Sequence, residues 1–197
     1  MEIVIGSVQP AEDMALDAAG IPAAGSRRAA RGFDSLFHEH YPRIVSMLAR
    51  LTGDRGVAEE IAADVFCKVA TRPALPSLED LTAWVYRVAT NAGLDAIRSN
   101  ARRRRREREA GVESIRIAPE GGALDDLLRE ERCARVRSIL GLLRPREAQM
   151  LLLRANGLAY RELAETLGIQ PGSVGTLLSR AEAEFERKFR ARYGGEA

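Results

Sequence analysis

From Phe33 onward, apolar residues recur at intervals of three and four, and no strand-length alternation interrupts them anywhere along the chain. Phe33, Leu36, Phe37, Tyr41, Ile44, Val45, Leu48 and Leu51 all fall on one helical face. A chain patterned in this way must bury apolar stripes of helices against one another, so the fold class is all-α. Pro42 is expected to kink or restart the first helix, and Gly53-Asp54 to end it. A second helix carries Val57, Ile61, Val65, Phe66 and Val69. Pro73 and Pro76 mark a loop before a third, long helix that runs from about Leu78 into a cluster of arginines. Its apolar positions are Leu81, Trp84, Val85, Val88 and Ile97.

Gly111, Pro119, Gly121 and Gly122 interrupt the helical pattern, which resumes at Leu124 and breaks again at Pro145 and at Asn156-Gly157. The expected organisation is therefore two small helical domains joined by a flexible linker. A flexible tail covers residues 1–30, the first domain 31–106, the linker 107–123 and the second domain 124–197. A length of 197 residues suffices for two modest cores. No apolar run approaches the ~20 residues of a membrane span, and the N-terminal stretch lacks the basic start of a signal peptide. Cys67 and Cys133 form no metal-binding or CxxC pattern. A cytoplasmic protein with reduced thiols, not inserted in a membrane, is the expectation.

Charge is unevenly placed. The net charge of +2 conceals a segment, Arg102 to Arg108, in which six arginines flank a single Glu107. Such a run serves either as a solvated helix end or as a contact for phosphates. Enzyme chemistry finds no footing in the residues. His38 and His40 are two positions apart on a helix, about 200° around its axis, and read as surface residues that bind no metal. No phosphate-cradling glycine loop and no catalytic dyad is present, so neither catalytic residues nor a cofactor are expected.

Residues 160–179 fit a helix-turn-helix. Ala164 is small where the two helices must approach, Gly168 suits a left-handed turn, and Leu163, Leu167, Ile169, Val174 and Leu177 supply a shared core. The second helix, from about Pro171 to Arg190, would enter the major groove with its N-terminal residues toward the bases. Taken alone, this half would also suit the output domain of a stand-alone LuxR-like transcriptional regulator.

Both halves together resemble the sigma-70 family of bacterial RNA polymerase initiation factors, in its extracytoplasmic-function branch. The stretch FDSLFHEHYPRIVSMLARLTGDRGVAEEIAADVFCKV is similar to the opening helices of region 2. LTAWVYRVATNAGLDAIRSNARRRRR is similar to the −10-reading helix, with Trp84, Val85, Val88, Ala89, Asn91, Asp95 and Arg98 at the motif positions. GSVGTLLSRA is similar to the −35 recognition helix of region 4. The resemblance implies a region 2 bundle and a region 4 helix-turn-helix that bind core RNA polymerase and promoter DNA and help melt the −10 element. It implies clamp helices and flap of the large polymerase subunits as docking partners, and the family often has an anti-sigma partner.

On that resemblance, Glu59, Glu60 and Asp64, beside Val65 and Phe66, are the expected polymerase-docking patch, an acidic rim around apolar side chains. Trp84, Arg87, Thr90, Asn91, Arg98, Arg102 and Arg103 are expected at the −10 DNA, and the loop from Pro73 to Asp80 at a flipped-out base. Trp84 is expected to be largely packed in the domain core. Ser173, Gly175, Thr176, Ser179 and Arg180 are expected at the −35 DNA. Ala63 stands where the family commonly has Gln, and Gly175 and Leu177 where it commonly has basic residues. The −35 element is therefore expected to be read largely by shape and phosphate contact.

Overall fold

A computed structural model describes residues 24–71, 77–110 and 124–194. The described chain folds into seven α-helices and one short 3-10 turn, with no strand among them. Helices α1 (Ala24–Thr52), α2 (Arg55–Ala70) and α3 (Leu78–Glu109) form the N-terminal half. Helices α4 (Leu124–Leu142), α5 (Pro145–Ala155), α6 (Tyr160–Leu167) and α7 (Val174–Tyr193) form the C-terminal half. Of the expected tail (1–30), residues 24–30 belong to α1, and of the expected linker (107–123), residues 107–109 belong to α3; residues 1–23, 72–76 and 111–123 lie outside the described residues.

The sequence sets the helix ends through local hydrogen bonds. Asp54 Oδ1 accepts the N–H of Val57 at 3.1 Å, and Ser77 Oγ accepts that of Asp80 at 3.2 Å, satisfying first-turn donors of α2 and α3. At α5 and α6 the third helical residue reaches back instead. Glu147 Oε2 accepts the N–H of Arg144 at 3.1 Å, and Glu162 Oε2 that of Ala159 at 2.6 Å. Helix α1 differs from expectation in two ways. It begins upstream of Phe33, in a segment rich in helix-favouring Ala and Arg, and it runs through Pro42 without ending. Pro42 and His38, whose carbonyl loses its partner there, are both on the exposed side, where water can take up the unpaired group.

Phe66 anchors the N-terminal half. It is 2% exposed, and its ring meets those of Phe37, Tyr41 and Phe33 edge-on at centroid distances of 5.2, 5.5 and 6.4 Å. Helix α3 lies close on α1 because Gly93 has no side chain. A Cβ there would come within 2.6 and 2.7 Å of the Leu51 and Leu48 methyls.

The two halves are present as expected, but they share a core. Met150, Leu153, Leu163, Leu167 and Val174 belong to the same buried cluster as Leu36, Phe66, Leu81 and Val85. A second cluster consists of the junction itself, with Leu51, Leu94 and Ile97 facing Leu140, Leu143 and Ala148. Polar groups close the seam. The Arg98 guanidinium donates from Nη2 to the Leu143 carbonyl at 3.0 Å and from Nε to the Gly141 carbonyl at 3.3 Å, covering the C-terminal end of α4. Arg50 donates to the side-chain oxygen of Asn156.

His40 sits at the same junction and is not a surface residue. Its side chain is 12% exposed, and its Nδ1 lies 3.4 Å from the Tyr86 hydroxyl, an arrangement that suits a neutral ring accepting the O–H. Burial lowers the His40 pKa below 6.5, against the raising effects of Glu39 and Glu162; Arg43 lowers it further. The unfolded chain therefore binds more protons as pH falls through this window, and folding stability falls with it. The urea midpoint is expected to drop between pH 7.5 and pH 5.5, with a shallower drop for His40→Gln. A midpoint that rose on acidification would contradict this placement.

Candidate nucleic-acid interface

Helix α6, the turn at Gly168 and helix α7 make a helix-turn-helix. Gly168 has φ 61° and ψ 48°, the left-handed conformation that closes α6 and that a side chain would strain by about 1 kcal/mol. The N–H of Ile169 donates to the Ala164 carbonyl at 3.0 Å, so the chain turns at once into the 3-10 turn of Pro171–Ser173. Val174 and Leu178 are buried and Leu177 packs on the core, which fixes the rotation of α7. Ser173, Thr176, Ser179 and Arg180 are exposed, and Gly175 is half-buried with the Tyr160 ring beside it. The face presented by the start of α7 is thus small, polar and singly charged.

Further along α7 the charges pair with each other. Glu184 receives Arg187 at 2.7 Å and Lys188 at 3.3 Å, and the Arg187 hydrogen bond helps to hold its carboxyl down to about 2. Arg190 pairs with Glu186 at 2.5 Å. Arg180 makes no ion pair with a described residue and is the one basic side chain in the first two turns of α7.

Helix α3 carries the other expected DNA residues, and the structure puts them in an unexpected setting. Arg87 and Asn91 have exposed side chains, whereas Thr90 is fully buried. Gln149 of α5 lies over all three. Its amide donates to Asn91 Oδ1 at 2.9 Å and approaches Thr90 Oγ1 at 3.3 Å and the Arg87 carbonyl at 3.4 Å. Thr90 Oγ1 donates to the carbonyl of Tyr86 at 2.8 Å. The expectation that Thr90 faces DNA is therefore corrected: the threonine hydroxyl satisfies its own helix and points under α5. Arg98 likewise reaches into the seam. Trp84 is half-buried against the core, in keeping with the packed reading.

Beyond the seam, α3 projects its arginines into solvent. Arg103 and Arg105 pair with Glu107 and Glu109 one turn on, at 3.7 and 2.8 Å. Arg102, Arg104 and Arg106 are exposed and form no ion pair with a described residue. On α2, Glu60 and Asp64 are exposed, and Glu59 is half-buried and paired with Arg55 at 2.8 Å. Val65 and Phe66, expected beside them on the surface, are 1% and 2% exposed. Their place is corrected to the core, because Ala58, Ala62, Val65, Phe66 and Val69 form one buried stripe. Gln149 escaped the sequence reading altogether. Its one signal is a polar residue between Ala148 and Met150 on an otherwise apolar face.

An all-helical chain with a basic helix in one half and a helix-turn-helix in the other defines a DNA-binding protein of transcription. Residues 36–103 match Sigma-70 region 2, and residues 133–185 match Sigma-70, region 4. The ferric citrate uptake sigma factor FecI of Escherichia coli is 30% identical over 167 residues, 82% of this chain and 92% of that protein. The ECF RNA polymerase sigma factor SigE of Mycolicibacterium smegmatis is 28% identical over 177 residues, 88% of this chain and 67% of that protein. The chain belongs to the sigma-70 family, in its extracytoplasmic-function branch, and is a promoter-recognising sigma factor. The match to region 2 removes the reason for reading it as a stand-alone regulator.

If Phe66 is core, Phe66→Ala should cost about 3–5 kcal/mol of unfolding free energy, the usual range for emptying a buried aromatic site. Urea denaturation measures this directly. A loss below about 1 kcal/mol would return Phe66 to the surface.

Proposed function

We propose that the chain binds core RNA polymerase through the acidic face of α2 and reads promoters with α3 and the start of α7. The division expected from sequence, 31–106 for the −10 half and 124–197 for the −35 half, is retained. Glu60 and Asp64, with Glu59 beside them, would meet a basic helical surface on polymerase, for which the clamp helices of a large subunit are the candidate. The flap is the candidate partner of the C-terminal half. Charge draws such partners together before apolar contacts hold them.

The observation that carries this reading is the coexistence, on one short chain, of an exposed acidic face on α2, exposed arginines at the end of α3 and a helix-turn-helix at α6–α7. In the −10 half, Arg87 and Asn91 would approach base edges, Trp84 would support the duplex end, and Arg98, Arg102 and Arg103 would hold phosphates. In the −35 half, Ser173, Thr176 and Ser179 are too short to reach far, and Arg180 is the one group able to make a bidentate contact to guanine, worth about 1–3 kcal/mol. Gly175 would let the backbone come close. Such a surface favours shape and phosphate readout at −35. The protein would act in the cytoplasm, by binding alone, with the polymerase doing the chemistry. No described helix is long and apolar enough to cross a membrane.

The test replaces the exposed acids and leaves the core intact. Glu60→Lys with Asp64→Lys should reduce co-purification with core polymerase at least tenfold while the chain keeps its wild-type urea midpoint. Undiminished co-purification would remove α2 as the docking face.

A further inference from the structure

We infer that Tyr160, the first residue of α6, is a specificity-determining residue at the −35 element, its ring meeting the C5 methyl of a thymine beside Gly175. The inference deepens the assignment of α7 to −35 DNA made above and rests on it.

The start of α7 discriminates bases poorly by itself. Ser173, Thr176 and Ser179 carry hydroxyls, which pair with more than one base, and Arg180 suits guanine. Gly175 adds no side chain at all, although neither its backbone nor its surroundings call for glycine. Its φ is not positive, and a Cβ there would meet Cε2 of Tyr160 at 3.8 Å, an ordinary contact. In the interior of a helix such a glycine is disfavoured. Its bare backbone leaves the edge of the Tyr160 ring uncovered at the start of α7, and Tyr160 is 48% exposed.

The ring is held in place, unlike a loose surface tyrosine. Leu158, two residues before it, is buried in the core, and Glu162 Oε2 accepts the Ala159 N–H at 2.6 Å, which fixes the start of α6. The Arg154 guanidinium lies over the ring, 5.5 Å from its centroid, and donates from Nη1 to the Leu158 carbonyl at 3.2 Å. A side chain ordered beforehand loses little freedom on binding. Arg154 is itself exposed and forms no ion pair with a described residue, so its positive charge stands beside the ring and favours the approach of the DNA backbone. An apolar surface of this kind fits thymine, whose C5 methyl is the one apolar group that a base pair presents in the major groove.

The experiment uses holoenzyme reconstituted with the full chain, and synthetic promoter templates in which each −35 thymine, on either strand, is replaced by uracil. Uracil removes the methyl group and keeps every hydrogen-bonding group. One such replacement should reduce transcription about fourfold, the worth of one buried methyl group. The loss should vanish in Tyr160→Ala and in Gly175→Arg, whose side chain covers the ring. It should persist in Tyr160→Phe, which keeps the ring and lacks the hydroxyl. A tyrosine with only a structural role would lower transcription from all templates alike when replaced. Should Tyr160→Ala fail to fold, by its urea midpoint, Gly175→Arg carries the same comparison. Absence of any uracil effect in the unmodified chain would overturn the inference, provided that base substitutions at −35 still reduce transcription. So would an effect that survives Tyr160→Ala or Gly175→Arg, or one that is lost in Tyr160→Phe. If no −35 base substitution matters and Arg180→Ala changes nothing, the assignment of α7 to −35 DNA fails, and the inference with it.

Discussion

The apolar seam between α3 and the α4–α5 corner is the constraint on which the rest of this structure depends. Leu94 and Ile97 face Leu140, Leu143 and Ala148 there, with Leu51 joining from α1. Neither half is large, and small helical bundles bury too little surface to be comfortably stable alone. Sharing a core gives each half more apolar burial. The polar closures of Arg98 and Gln149 fix the register by leaving few other arrangements in which their donors are satisfied. Side chains that the family resemblance assigns to DNA thus act as structural partners in the folded chain. Arg98 covers the carbonyl end of α4, and Asn91 accepts from Gln149.

This structural use bears on the uneven distribution of charge. Arginines buried in or near the seam are matched to carbonyls. Those past it on α3 stand in solvent, where only Glu107 and Glu109 partly offset them. On α7, Arg187, Lys188 and Arg190 are matched by Glu184 and Glu186, whereas Arg102, Arg104 and Arg106 at the end of α3 form no ion pair with a described residue. On the proposed assignment of these helices, a sigma factor built in this way would hold the DNA backbone near the −10 region more strongly than near the −35 region.

Much of this was legible in the sequence. The three-and-four spacing located the helices, Gly168 and Ala164 located the turn and the close approach, and the order of motifs located both halves. Burial of Val174 and Leu178, and the exposure of Ser173, Thr176, Ser179 and Arg180, follow from one helical period. Three features were not legible. Periodicity shows that α3 has apolar positions, but not that Leu94 and Ile97 meet the other half of the chain as well as Leu51 of their own. Phe66 read as surface because its acidic neighbours suggested a docking rim, although Glu60 and Asp64 point away from it on the same helix. His40 lay at an alternating spacing that looks exposed, and only the arrival of α3 and α6 buries it. In each case the missing information was which element packs on which, a long-range fact that no local pattern contains.

The most direct measurement of the central claim is a base-by-base scan of a target promoter, transcribed by polymerase reconstituted with this chain. An account in which α3 carries the strong contacts and α7 offers one arginine predicts that single −10 substitutions reduce transcription more than single −35 substitutions. It also predicts that the steepest −35 effect disappears in Arg180→Ala. Larger losses at −35 than at −10, unaffected by Arg180→Ala, would contradict it.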